Sequence, residues 1–165
     1  MDGLPKPVQR PHPPILIGGG GRRLLELAAR EADIVGLAPR ILSTTGRGDP
    51  RSITLAAAEE KLGWVRAAAG DRFENLELNI YPSMSPIVVT DHARTRADDL
   101  AAQIRERTGF EIGADDLLES PHIFIGSIDG LARKLVELRE RLGTSNVMLG
   151  ELGELDPLVE PLAGT

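Results

Sequence analysis

The sequence predicts an alternating α/β fold built on a parallel sheet. Three observations carry that prediction. Short apolar runs alternate with longer helical patterns along most of the chain. The first two runs, Ile15–Ile17 and Ile34–Leu37, are apolar throughout, as strands buried on both faces are. A helix-length segment separates them, and a strand–helix–strand unit this compact pairs its strands in parallel.

The elements follow in order. Five of the twelve prolines fall in the first fourteen residues, so residues 1–14 read as an extended lead-in. Ile15–Ile17 is expected to be a short buried strand. Arg22–Ala32 then reads as a helix, because Leu24, Ala28 and Ala32 recur every four residues with Leu25 and Ala29 beside them. Ile34–Leu37 is the second strand. Residues 39–52 are polar and glycine-rich, a long loop of the kind kept for function or mobility. A helix carries Leu55, Ala58, Leu62, Val65 and Ala69 on one face and stops at Gly70. Leu76, Leu78 and Ile80 alternate with Glu77 and Asn79 as a third strand. Tyr81–Pro86 is a turn-rich connection. Asp91 is the expected N-cap of a helix reaching about Arg107, with Ala97, Leu100, Ala101 and Ile104 inward, and Gly109 ends it. A short helix over Ala114–Leu118 precedes Ile123–Ile125 and Gly126. Ser127 caps a helix with Ile128, Leu131, Leu135, Leu138 and Leu142 on its inner face, closed by Gly143. Asn146–Leu149 is a final strand, and Pro157–Leu162 a last short helix.

Composition narrows the function classes. At 165 residues, with 41% hydrophobic and 27% charged residues, the chain fits an ordinary globular domain with a real core. No apolar run approaches the roughly 20 residues of a membrane helix. With no cysteine, disulfides, thiolate metal sites and a cysteine nucleophile are excluded. The lack of cysteine and of an apolar leader fits a cytoplasmic protein. A net charge of −6 and 3% aromatic residues argue against nucleic acid, leaving a small molecule as the expected partner.

The most informative stretch is Gly18-Gly19-Gly20-Gly21, set between the first strand and the first helix. Glycine permits φ > 0 and a close approach of backbone to ligand. Free N–H groups there and at the helix start make a natural phosphate site. The alternative is a tight turn with no ligand. No Gly-Lys-Ser/Thr follows, so the run is not a Walker loop. In a dinucleotide fingerprint the third glycine would fall on Arg23, and the second strand lacks its terminal acid. Both common nucleotide patterns fail, leaving a barrel-type loop that grips the phosphate of a flavin-like cofactor. Arg22 and Arg23 could pair with that phosphate, or at least one lies in a solvated first turn. Gly126 and Ser127 start a later helix and could line a cofactor edge, or form an ordinary serine-capped start.

Other candidates carry less. His12, His92 and His122 have no partner at metal-ligand spacing, and no metal site is expected. Asp98-Asp99 and Asp115-Asp116 fit solvated helix edges, Ser43 and Ser120 lack a hydrolase context, and Trp64 fits a packing role. No catalytic constellation is visible.

The glycine run ties the chain to a family. Pro13-Pro14-Ile15-Leu16-Ile17, the four glycines and Leu24–Gly36, with Ala28-Ala29 before Ala32-Asp33, together resemble the luciferase-like monooxygenase superfamily. The likeness is to its deazaflavin (coenzyme F-420)-dependent oxidoreductases in particular. Phe124-Ile125-Gly126-Ser127 resembles a later helix start of the same family. The resemblance implies a (β/α)8 (TIM) barrel, which needs roughly 250 residues. Residues 15–165 then correspond to its C-terminal half, a partial barrel with about four or five parallel strands. It also implies coenzyme F-420 or FMN as cofactor, with Gly18–Gly21 gripping its phosphate and Gly126 and Ser127 facing it. The family's substrate-facing residues belong mostly to the other half, so no catalytic residue carries over, and the isolated chain is expected to be inactive. A half barrel exposes strand edges and apolar surface. The expected explanation is a truncated reading frame, since the lead-in reads as an internal linker. The alternatives are a fragment that pairs with another half, or a degenerate copy; in a second reading the chain is a non-catalytic binding or assembly module that forms a homodimer or completes a missing N-terminal half.

Overall fold

The computed structural model describes residues 8–81, 87–148 and 152–163, with only the backbone described for 152–155. The start of the lead-in, the 82–86 turn and Leu149 of the expected last strand lie outside the described residues. Residues 8–14 are exposed and form no helix or strand.

Strand β1 (Leu16–Gly19) leads through Gly20 and Gly21 into α1 (Arg22–Glu31), and β2 (Ile34–Leu37) follows. Pro39, which lacks an N–H, stands just beyond β2 and helps to stop the ladder there. Helix α2 (Leu55–Ala69) precedes β3 (Glu77–Ile80). Next come β4 (Val88–Val89), α3 (Ala93–Thr108), α4 (Ala114–Glu119) and β5 (Ile125–Gly126). Helix α5 (Ile128–Leu142), β6 (Asn146–Val147) and α6 (Leu152–Leu162) complete the order. Thr54 caps α2 by accepting from the Ala57 N–H at 3.2 Å, and Ser127 caps α5 through the Gly130 N–H at 3.2 Å. Gly109 and Gly143 close α3 and α5 with φ of 70° and 71°, a left-handed conformation that suits glycine.

The sheet runs β1-β2-β3-β6, with every pairing parallel. Register aligns Ile17, Val35 and Leu78 across three strands, and Gly18, Gly36, Asn79 and Asn146 across all four. Alternation then gives the sheet two faces. Val35, Leu37, Leu78 and Ile80 point into the helix layer and join Leu25, Ala28, Leu62, Val65, Leu131 and Leu142 in the main core. Burying each large aliphatic side chain contributes roughly 1.5–3 kcal/mol. The opposite face carries Leu16, Ile34 and Glu77 and, one level on, Gly18, Gly36, Asn79 and Asn146, a level at which two of the four strands have no side chain. Strands β4 and β5 form a separate parallel pair, and with α3 and α4 they enclose a second core around Ile53, Ile104, Leu117 and Ile123.

Several local expectations change. The first strand is shifted to Leu16–Gly19, and it is an edge: Ile15 and Leu16 are 41% and 46% exposed. Asn79, which alternates with the apolar residues of β3, is itself buried. His92, not Asp91, occupies the N-cap of α3. Strand β4 was missed, because two valines in a row show no periodicity. Helix α6 starts earlier than expected and carries Pro157 and Pro161 within it. Among the described residues, no helix is long and apolar enough to cross a membrane.

Candidate functional site

The C-terminal ends of β1, β2, β3 and β6 open onto a cleft of about 1240 Å³. Gly18, Gly36 and Asn79 form part of its floor, side by side on adjacent strands. A methyl group on Gly36 would lie 3.0 Å from the Gly18 Cα, so the floor is kept free of side chains where β1 meets β2.

One wall is the β1–α1 turn. None of Gly18–Gly21 has a positive φ, so the run is not explained by left-handed backbone. Close approach explains Gly20: a Cβ there would lie 2.4 Å from the Arg40 N and 2.5 Å from the Pro39 carbonyl carbon. Gly21 is different. It is the N-cap of α1, makes no side-chain cap, and a Cβ on it would meet nothing within 4 Å. The first α1 hydrogen bond runs from the Leu25 N–H to the Gly21 carbonyl, so the N–H groups of Arg22, Arg23 and Leu24 have no helical partner and are left over at the helix start among the described residues. Arg22 lines the cleft but pairs with Glu26 at 2.7 Å, and Arg23 has no ion-pair partner among the described residues.

The facing wall is Ala38–Ile41, and buried polar groups pin it. Lys61 is 2% exposed, and its Nζ donates to the carbonyls of Ala38 at 2.9 Å and Ser52 at 2.8 Å. Burial, with the Arg40 charge nearby, pushes its amine down to about 8. The Arg40 N–H donates to the Ser52 hydroxyl at 2.9 Å, and the Arg40 carbonyl accepts from the Asp49 N–H at 2.7 Å. Asp49 is also buried, which would raise its pKa, but hydrogen bonds from Arg40 and Arg51 outweigh burial and hold its carboxyl below the usual value. These residues fix the loop against Gly20, and sequence spacing alone gave no sign of them.

At the third side, Tyr81 follows β3 into the cleft. Its carbonyl accepts from Nδ1 of His122 at 3.0 Å, which assigns the proton to that nitrogen. His122 is fully buried, and Nε2 has no hydrogen-bond partner among the described residues. Burial and the charge of Lys61 push its pKa down to about 4, so the ring is neutral at physiological pH. Lys134, pushed down to about 7 by burial, donates to the Leu118 and Ile123 carbonyls, both at 2.6 Å.

The structure therefore brings Gly18, Gly19, Gly20, Gly21 and Arg22 together in one cleft. Gly126 and Ser127 line a separate hollow of about 480 Å³ beside Lys134. The Ser127 hydroxyl there accepts the Gly130 N–H. Among the described residues, no group of three or more acidic or histidine side chains could hold a metal ion.

No protein-family model matches the chain, and no curated protein matches it. Solved structures do. Monooxygenase RslO1 from Streptomyces bottropensis is 20% identical, with a TM-score of 0.50 over 88% of this chain and 43% of its own. The coenzyme F-420-dependent tetrahydromethanopterin reductase of Methanopyrus kandleri is 12% identical, with a TM-score of 0.52 over 90% of this chain and 49% of its own. Riboflavin lyase RcaE, solved with a modified FMN and its substrate riboflavin, is 14% identical, with a TM-score of 0.53 over 92% and 42%. The fold is half a barrel. This chain spans less than half the length of each of these proteins and shares the fold of that part of them, a parallel α/β arrangement with the architecture of about half of a (β/α)8 barrel. Its four-stranded sheet supplies half of the eight strands such a barrel needs.

Proposed function

We propose that this chain is the cofactor-binding part of a flavin- or deazaflavin-dependent luciferase-like oxidoreductase, of monooxygenase or hydride-transfer type. The observation that carries the reading is the β1–α1 turn. Gly21 leaves open space where any side chain would stand, and the leftover N–H groups of the α1 start face a cleft at the C-terminal ends of parallel strands. A phosphate fits there, since it accepts from such N–H groups and is favoured by the positive end of the helix dipole. FMN and coenzyme F-420 both present one. When bound, such a cofactor supplies the redox chemistry, while the protein holds and orients it.

Each wall has a part in that task. Gly20 and Gly21 let backbone reach the phosphate, with Arg23 available for charge pairing. Lys61, Asp49 and Ser52 hold the opposing loop at a fixed distance. The level of Gly18 and Gly36 on the inner face of the sheet gives room for the remainder of the cofactor. The exposed β1 edge and the apolar Leu16, Ile41 and Met148 around the cleft favour a complementary half barrel as partner. No residue is proposed as catalytic. In a second reading, favoured by the same open edge, the chain is a non-catalytic module that completes a partner.

Calorimetric titration tests the reading. FMN should bind more tightly than riboflavin, which lacks the phosphate, and Gly21→Val should abolish the difference while leaving the fold intact. Equal affinity for the two ligands, or an unaffected Gly21→Val, would remove the turn from the site. The isolated chain should show little turnover with reduced coenzyme F-420; robust turnover would mean that no second half is required.

A further inference from the structure

Asn79 carries an unused acceptor on the cleft floor. The residue is 2% exposed on β3, yet it lines the cleft. Its Nδ2 donates to Asn146 Oδ1 at 3.0 Å and lies 3.4 Å from the Asn146 carbonyl. A backbone carbonyl can only accept, so the nitrogen must face Asn146 and the oxygen must face away. Oδ1 points over β2, 3.7 Å from where a Gly36 Cβ would stand. No donor among the described residues reaches it, so the oxygen is left free to accept from a molecule in the cleft.

The floor leading to this oxygen is bare. Gly18 and Gly36 occupy the same register level as Asn79 on the two strands between it and the α1 start. Strands are about 4.8 Å apart, so Asn79 lies roughly 10 Å across the sheet from β1. We propose that Asn79 is a specificity-determining residue, whose Oδ1 accepts a hydroxyl from a phosphorylated polyol chain lying across Gly18 and Gly36. This rests on the phosphate reading of the β1–α1 turn and deepens it. The turn takes the phosphate, the two glycines admit the chain, and Asn79 distinguishes a hydroxylated chain from a plain one. The polyol could be the ribityl phosphate of a flavin-type cofactor or a free alditol phosphate.

The test is a calorimetric cycle on the full chain with ribitol 5-phosphate, pentyl phosphate and FMN, using wild type, Asn79→Leu and Gly21→Val. Wild type should prefer ribitol 5-phosphate over pentyl phosphate. One neutral hydrogen bond implies that Asn79→Leu shrinks this preference roughly three- to tenfold. FMN should weaken by a similar factor in Asn79→Leu, and pentyl phosphate should not. A loss for FMN alongside that for ribitol 5-phosphate identifies the cofactor as the source of the polyol, and a loss confined to ribitol 5-phosphate a free alditol phosphate. Far-ultraviolet circular dichroism checks folding, and Asn79→Ala, which removes rather than replaces volume, takes over if the leucine variant does not fold. An undiminished ribitol preference in the Asn79 variants overturns the inference. The phosphate reading then stands if Gly21→Val still weakens all three phosphates. Failure of wild type to bind any of the phosphates overturns both.

Discussion

Gly20→Ala separates the structural from the binding role of the glycine run. The added Cβ would lie 2.4, 2.5 and 2.6 Å from the Arg40 N, the Pro39 carbonyl carbon and the Arg40 Cα. Carbon contacts are comfortable at about 3.5–4.0 Å, so the two segments must part by roughly 1 Å. The loop cannot yield freely. Lys61 holds the Ala38 carbonyl, Ser52 holds the Arg40 N–H, and the Asp49 N–H holds the Arg40 carbonyl. Overpacking costs about 1–3 kcal/mol, and loss of one of these bonds adds about 1 kcal/mol, giving about 2–4 kcal/mol in all. At Gly21 the same methyl meets nothing, and Gly21→Ala should cost less than about 1 kcal/mol through weaker capping. Urea unfolding, followed by circular dichroism and by fluorescence of Trp64, the only tryptophan, measures both. A Gly20→Ala variant within about 0.5 kcal/mol of wild type would refute the close packing of the turn on the 38–40 segment.

Other predictions concern the buried titratable groups. His122 protonates below about 4 in the folded chain and near 6.5 when unfolded, so the unfolded state binds the extra proton between those values. Stability should fall as pH drops through that window, by about 3 kcal/mol at its lower end; His122→Phe should flatten this part of the profile, and an unchanged slope would contradict the assignment. Lys134 and Lys61 release their protons near 7 and 8 in the folded chain but near 10.5 unfolded, so stability should rise with pH from about 7 to 10.5. Lys61→Met should reduce part of that rise, and it should weaken FMN binding by freeing the 38–40 wall. Asp49→Asn, which removes the charge paired with Arg40 and Arg51, should lower stability by about 1–3 kcal/mol in thermal or urea unfolding.

Much of the architecture was legible in the sequence because its signals are local. Uniformly apolar Ile34–Leu37 indicated a strand of a parallel sheet, Ser127 and Gly143 bracketed α5, and four glycines marked the strand-to-helix turn. What was not legible depends on long-range neighbours. Leu16 looks like a core residue until β1 is seen at the edge of an incomplete barrel. Asn79 alternates like a solvent-facing residue, but its face of the sheet lines a cleft. Lys61 and His122 lie far from the glycine turn in sequence, and only folding brings their hydrogen bonds to the ends of β2 and β3. The reason for glycine at position 20 was likewise hidden, since it is the backbone of Arg40 that excludes a side chain.

Amide chemical shifts in a nitrogen-15 correlation spectrum, recorded as FMN and then riboflavin are added, test the phosphate site most directly. FMN should move the Gly20, Gly21, Arg22 and Arg23 amides, with riboflavin leaving them nearly still. Shifts centred on Gly126 and Ser127, or equal responses to the two ligands, would contradict a phosphate held at the start of α1.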